Sequence, residues 1–126
     1  MESVMNEPGT SPRYLKMDRE MLLKTHSALC IAAKALMERK NHDYSGGADG
    51  DDPFLNFSRV EKLGITDTKT GFMVRMTDKV SRLITFIQSG ELKVKDESFK
   101  DTILDLINYS VLLYAYNLSE MDDYTE

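Results

Sequence analysis

The chain has one cysteine, three prolines and no excess of basic residues among its 126 positions. With Cys30 alone there is no internal disulfide, and no His or Cys stands near it at ligand spacing. It is expected to be a small buried hydrophobe in a reducing, cytoplasmic setting. A membrane span needs roughly 18 consecutive apolar residues, and the sequence has no such run. The N-terminus carries no basic segment followed by an apolar one, so a soluble, unexported protein is expected. The formal net charge is -5 and the Lys and Arg residues are dispersed. That distribution argues against a nucleic acid polymer as partner and leaves a small anionic ligand open. Gly-rich phosphate loops, HExxH pairs and Ser nucleophile elbows are absent. Asp49, Asp51 and Asp52 lack the spacing and closing Glu of a calcium-binding EF-hand.

What is present is helical periodicity in a length that suits one domain, 1–126, with loose tails at 1–12 and 119–126. Between Asp18 and Lys40, Leu22, Leu23, Leu29, Ile31, Ala32, Ala35 and Leu36 repeat at helical spacing without Gly or Pro, predicting a first long helix. His26 lies mid-helix without an acid at i+4, and is expected at or near the surface. Asn41 to Asp51, with three glycines among short polar residues, predicts a long polar loop. Asp52-Pro53 is a helix start, Asp as N-cap and Pro at the first helical position, for a short helix ending near Gly64. Thr68 to Gln88 predicts a third helix, its first turn disturbed by Gly71. Asp96 can cap a fourth that runs to about Leu118. No strand is expected. The fold class is therefore an all-α bundle of about four helices.

The fourth helix carries the most distinctive chemistry. Glu97, Asp101 and Asp105 recur every four residues and Asn108 follows at i+3, so the four form one ladder of oxygen ligands. Like charges at this spacing repel and call for a compensating partner. A hard divalent cation, Mg²⁺ with Mn²⁺ as alternative, would supply it and would bring phosphate groups to an acidic site. A solvated helix face is the plainer alternative. The facing helix offers Arg75, Asp78, Lys79 and Arg82 on a shared surface. Asp78 would complete a carboxylate cluster, while Arg75, Lys79 and Arg82 would either neutralise Asp101 and Asp105 or hold a phosphate. Structural ion pairing is the competing reading of these bases.

Lys40, Asn41, His42, Asp43 and Tyr44 place a cation, an amide, an imidazole, a carboxylate and an aromatic ring within five residues. A nucleotide suits that mixture: Tyr44 to stack on a base, Asn41 to read its edge, Lys40 to meet phosphate. The alternative is that Asn, Asp, Ser and Gly are the ordinary material of turns.

Four blocks in order, Lys40-Asn41-His42-Asp43-Tyr44-Ser45, Asp52-Pro53-Phe54-Leu55-Asn56-Phe57, Arg75-Met76-Thr77-Asp78-Lys79-Val80-Ser81-Arg82-Leu83, and Asp96-Glu97-Ser98 with Asp101 to Tyr109, resemble the nucleotide modification associated domain of phage and bacterial proteins, over about residues 38–115. More distantly the chain is similar to the all-α nucleoside triphosphate pyrophosphatases of the MazG and dimeric dUTPase kind. This resemblance implies Mg²⁺ held by Asp78, Glu97, Asp101 and Asp105, with Asp101, Asp105 and Lys79 catalytic. Lys40, Asn41, Asp43, Tyr44, Arg75, Arg82 and Asn108 would bind the nucleotide. Those enzymes set a Glu-x-x-Glu pair against a Glu-x-x-Asp pair; here the partner helix gives only Asp78, and Glu38 is the remaining acid for the first pair.

Three functional classes follow: a Mg²⁺-dependent nucleoside triphosphate pyrophosphohydrolase, a non-catalytic sponge that sequesters a signalling or modified nucleotide, and a structural helical oligomerisation module. A homo-oligomer is expected in each, because bundles pack apolar helices across symmetry axes.

Overall fold

A computed structural model describes residues 16–44, 52–89 and 99–121, with the side chains of 42–44 excepted. These residues form four α-helices and no strand: α1 (Arg19–Tyr44), α2 (Leu55–Lys62), α3 (Thr68–Ser89) and α4 (Phe99–Ser119). The expected all-α bundle is the fold observed. α4 is its hub. It packs against both α3 and α1, while α2 bridges α1 and α3. Phe86 near the end of α3 meets Phe99 at the start of α4, and Lys69 at the start of α3 bonds Asn117 near the end of α4, so the two helices run antiparallel.

Local chemistry accounts for the helix ends. Asp18 Oδ1 accepts the Met21 N–H at 2.9 Å, capping α1. Asp52 Oδ1 accepts the Phe54 N–H at 2.9 Å in a turn that precedes α2. The N-cap is Phe54, without a side-chain cap bond, so, contrary to the expectation from sequence, Asp52 is not the cap and Pro53 is not the first helical residue. α2 closes at Gly64, whose φ of 78° lets the Ile65 N–H reach back to the Val60 carbonyl at 2.9 Å. The start of α3 is held twice. Asp67 Oδ1 accepts the Thr70 N–H at 2.8 Å, and Glu61 of α2 accepts both the Thr68 N–H at 2.9 Å and its hydroxyl at 2.7 Å. The proposed cap of the last helix, Asp96, lies outside the described residues.

Two further expectations are corrected. The polar loop does not begin at Asn41: α1 continues through Tyr44, because a polar residue without Gly or Pro costs a helix only a few tenths of a kcal/mol. Cys30 is exposed and free. No residue from Lys16 to Ala32 is buried; Ala33 is the first. The leading half of α1 therefore leaves Leu22, Leu23 and Ile31 in solvent, along with Cys30, whose Sγ stands 3.9 Å from His26 Nδ1. Helical periodicity identifies an apolar face but not how much of its length another helix covers.

The core is aromatic. Phe57, Phe72, Tyr109 and Leu112 form its centre, from α2, α3 and α4. Phe57 and Phe72 stack at 4.3 Å between centroids with planes 12° apart, and the Tyr109 ring meets Phe57 edge-on at 5.8 Å. Gly71 permits this stack. A Cβ there would lie 2.9 Å from Val60 Cγ2 and 3.5 Å from the Phe57 carbonyl oxygen, so a side chain would force α2 off α3.

Phe72→Ala should lower the unfolding free energy by about 3–5 kcal/mol, the usual cost of emptying a fully buried aromatic site, as measured by urea denaturation. Asp67 gives a pH prediction. The Thr70 backbone N–H, then its hydroxyl, hold the Asp67 carboxyl below its ordinary value of 3.8. The stabilisation is complete above that value and is lost as pH falls through the lower folded-state value. In Asp67→Asn this component of acid destabilisation should vanish, flattening the acid limb of melting temperature against pH.

Candidate functional site

The polar residues of α4 are divided by helix geometry. Successive i, i+4 positions turn about 40° further round the axis, so a ladder of acids cannot stay in one environment where the helix is covered on one side. Asp101 is exposed, whereas Asp105 is buried at 7% exposure. Asn108, also buried, donates its side-chain N–H to the Ala33 carbonyl of α1 at 2.9 Å. Glu97 lies outside the described residues.

A buried carboxylate must be paired or protonated, and Asp105 is paired from two sides. Lys79 Nζ of α3 stands 3.0 Å from Oδ2, and Lys40 Nζ of α1 stands 3.3 Å from Oδ1. α1 and α3 have no direct helix–helix packing, and both reach this carboxylate across α4. The Lys79 side chain is 13% exposed and that of Lys40 42%, so the cluster is closed on the α3 side and open on the α1 side. Lys40, the more exposed of the two lysines, presents its ammonium group at the opening. Asn41, half-buried, follows Lys40.

The other candidates are placed apart from this cluster. Asp78 precedes Lys79 and points about 100° away from it round the helix; its side chain is 64% exposed, 3.5 Å from Arg82 Nε. Arg75 lies with its guanidinium carbon 5.1 Å from the centre of the Phe57 ring, a cation–π contact. Glu38 is exposed. Asp43 and Tyr44 lie in the last turn of α1, their side chains outside what the structure describes, as is that of His42. The structure thus brings together Lys40, Lys79 and Asp105, with Asn108 one turn along α4.

Mg²⁺ binds oxygens at about 2.0–2.1 Å in octahedral geometry, through one or two carboxylates and water. Both Asp105 oxygens here face ammonium groups, and Asp78 turns to Arg82. Among the described residues no three acidic, His or Cys side chains converge on one point. The described residues therefore do not by themselves form a Mg²⁺ cage.

A second polar group at the other end of α3 escaped sequence reasoning. Lys69 donates to Asn117 at 3.0 Å and pairs with Glu120 at 3.2 Å. The nearby Tyr116 hydroxyl has its pKa lowered by a Thr68 hydrogen bond, but desolvation and the Glu120 carboxylate outweigh that and raise it. The only available signal was the Asp67-Thr68-Lys69-Thr70 capping pattern, which locates the helix start and not its partners.

No family model matches the chain, and neither a curated protein nor a solved structure matches it.

The Asp105 cluster yields a stability prediction. In a double-mutant cycle, Asp105→Asn and Lys79→Met should show a coupling energy of about 1–3 kcal/mol. The cycle with Lys40→Met should show a smaller one, because the Lys40 end of the pair is screened by water.

Proposed function

We propose that this chain is a nucleotide-binding protein that receives phosphate groups at the open, Lys40 side of the Asp105 cluster and releases its ligand intact. The observation that carries this reading is the pairing of Asp105 with two lysines from separate helices. A carboxylate so engaged is a positioning group: it holds both ammonium groups in place, and the solvent-facing Lys40 end can meet an anion. Lys40 keeps a substantial part of its side chain in solvent, so a phosphate oxygen can take one of its N–H donors without unpairing the buried end. Asn41 and Tyr44, next along α1, supply the amide and ring that would select the base. The resemblance to the nucleotide modification associated domain, over about residues 38–115, supports the same ligand class.

The non-catalytic sponge is favoured over the pyrophosphohydrolase, because the ligand set needed for Mg²⁺ is divided between the lysine pairs, the Arg82 contact and solvent. The hydrolase is the second reading. Asp101, exposed one turn before Asp105 and next to it on the ladder of acids, favours it.

Incubation of the purified full chain with linear triphosphates and cyclic nucleotides in Mg²⁺, followed by mass spectrometry before and after denaturation, separates the two. The expected result is an intact nucleotide released only on denaturation. Monophosphate and pyrophosphate would establish the hydrolase instead. Lys40→Gln should weaken binding by at least about tenfold, the loss of one charge-assisted contact, with the melting temperature little changed. Unchanged affinity would remove Lys40 from the site.

A further inference from the structure

Among the described residues fifteen large hydrophobic ones are exposed, whereas the buried hydrophobic core comprises seven. On α3 four of the five exposed ones are ordered, and Val74, 63% exposed, stands on another side of the helix. Met73, Val80 and Ile87 stand seven residues apart and Ile84 fills the interval, at 51%, 45%, 71% and 47% exposure. With a turn of about 100° per residue the four lie within roughly 60° of one another round the helix, on a stripe that contains no charged side chain. Beside the stripe runs a groove of about 400 Å³ between α3 and α4, lined by Met76, Leu113 and Tyr114 and ended by Lys69 and Asn117. Tyr114 is itself 65% exposed. Lys79, one residue from Val80, points inward to Asp105, so the stripe and the phosphate-binding opening occupy different sides of α3.

We propose that this α3–α4 face is the contact between two copies of this chain, related by a two-fold axis that passes beside Val80. An isologous contact requires a self-complementary patch, and the stripe has that symmetry. With two α3 helices antiparallel about Val80, Met73 lies level with the partner's Ile87, and Val80 with the partner's Val80. The spacing of seven on both sides keeps each such residue on the seam, where Ile84 enters the groove of the other copy.

The area is that of a small, reversible contact. A whole aliphatic side chain offers roughly 60–120 Å² of apolar surface and a Tyr roughly 200 Å². The exposed parts of these five side chains thus supply roughly 300 Å² per copy. The half-buried Met76, Leu83 and Leu113 add roughly 100 Å², which brings the face to about half of the 800 Å² per partner of a standard interface, the range of transient contacts. The inference is independent of the nucleotide reading.

Sedimentation equilibrium of the full chain over a concentration series tests it. The expected species is a dimer of the 14.4 kDa chain. Val80→Glu with Ile84→Lys should yield a monomer with unchanged helical circular dichroism, since both side chains stand in solvent within one copy. A second measurement does not depend on those variants folding. With Cys30→Ser to remove the native thiol, Val80→Cys should form a covalent dimer on mild oxidation, whereas Glu38→Cys on α1 should not. A wild-type monomer throughout the series overturns the proposal, as does a dimer that persists in the Val80→Glu, Ile84→Lys chain, or cross-linking no faster at position 80 than at 38.

Discussion

The bundle turns on one buried carboxylate. Asp105 projects from the central helix into a space where an unpaired charge would cost several kcal/mol, and its two oxygens are met by lysines from two helices that do not pack on each other. The pairing therefore does more than neutralise charge. It sets the register of α3 on α4 at Lys79 and that of α1 on α4 at Lys40, and the Asn108 side chain repeats the α1 connection at the Ala33 carbonyl. An apolar seam alone tolerates sliding by a turn; a carboxylate bonded on both sides and an amide bonded to one carbonyl do not.

Around that polar axis the aromatic cluster supplies the favourable burial. Phe57 reaches Phe72 only because Gly71 leaves α2 and α3 in direct backbone approach, and Arg75 covers the outer side of the Phe57 ring. The same arrangement thus removes Arg75 from the set of bases that sequence spacing had placed together. The Lys79 side chain is 13% exposed and paired with Asp105, and Arg82 is turned to Asp78. Three bases at i, i+4 and i+7 end in three environments, and only the one that faces Asp105 enters the cluster.

Much of the fold was legible in the sequence. The four helices, the closure at Gly64 and the span of α3 follow from local rules: glycine conformation and apolar spacing. The start of α2 does not, since the helix opens at Leu55, two residues beyond the Pro53 expected there. The pairing of Lys79 with Asp105 was legible as one of two alternatives, since charge rows on neighbouring helices suggest partners without choosing among them. The role of Lys40 was harder to read. Its sequence neighbours are turn-forming residues, which placed it at a loop edge, whereas α1 continues past it to Tyr44 and its ammonium group lies against α4 at Asp105. Cys30 and the leading half of α1 failed for a related reason: amphipathic spacing states which face is apolar and says nothing about where the covering helix stops. The metal ladder illustrates the limit of one-dimensional spacing. Asp101 and Asp105 share a face by rule, yet the 40° drift between them is enough to put one in solvent and the other in the core.

The central claim is that the lysines gathered by Asp105, and not a metal gathered by acids, attract the phosphate groups of a nucleotide. Equilibrium dialysis of a radiolabelled nucleoside triphosphate mixture against the full chain, once with EDTA and once with Mg²⁺, tests it most directly. The account predicts binding that survives the chelator and weakens with added salt, as contact between lysines and phosphate should. Binding that appears only when Mg²⁺ is present would contradict it.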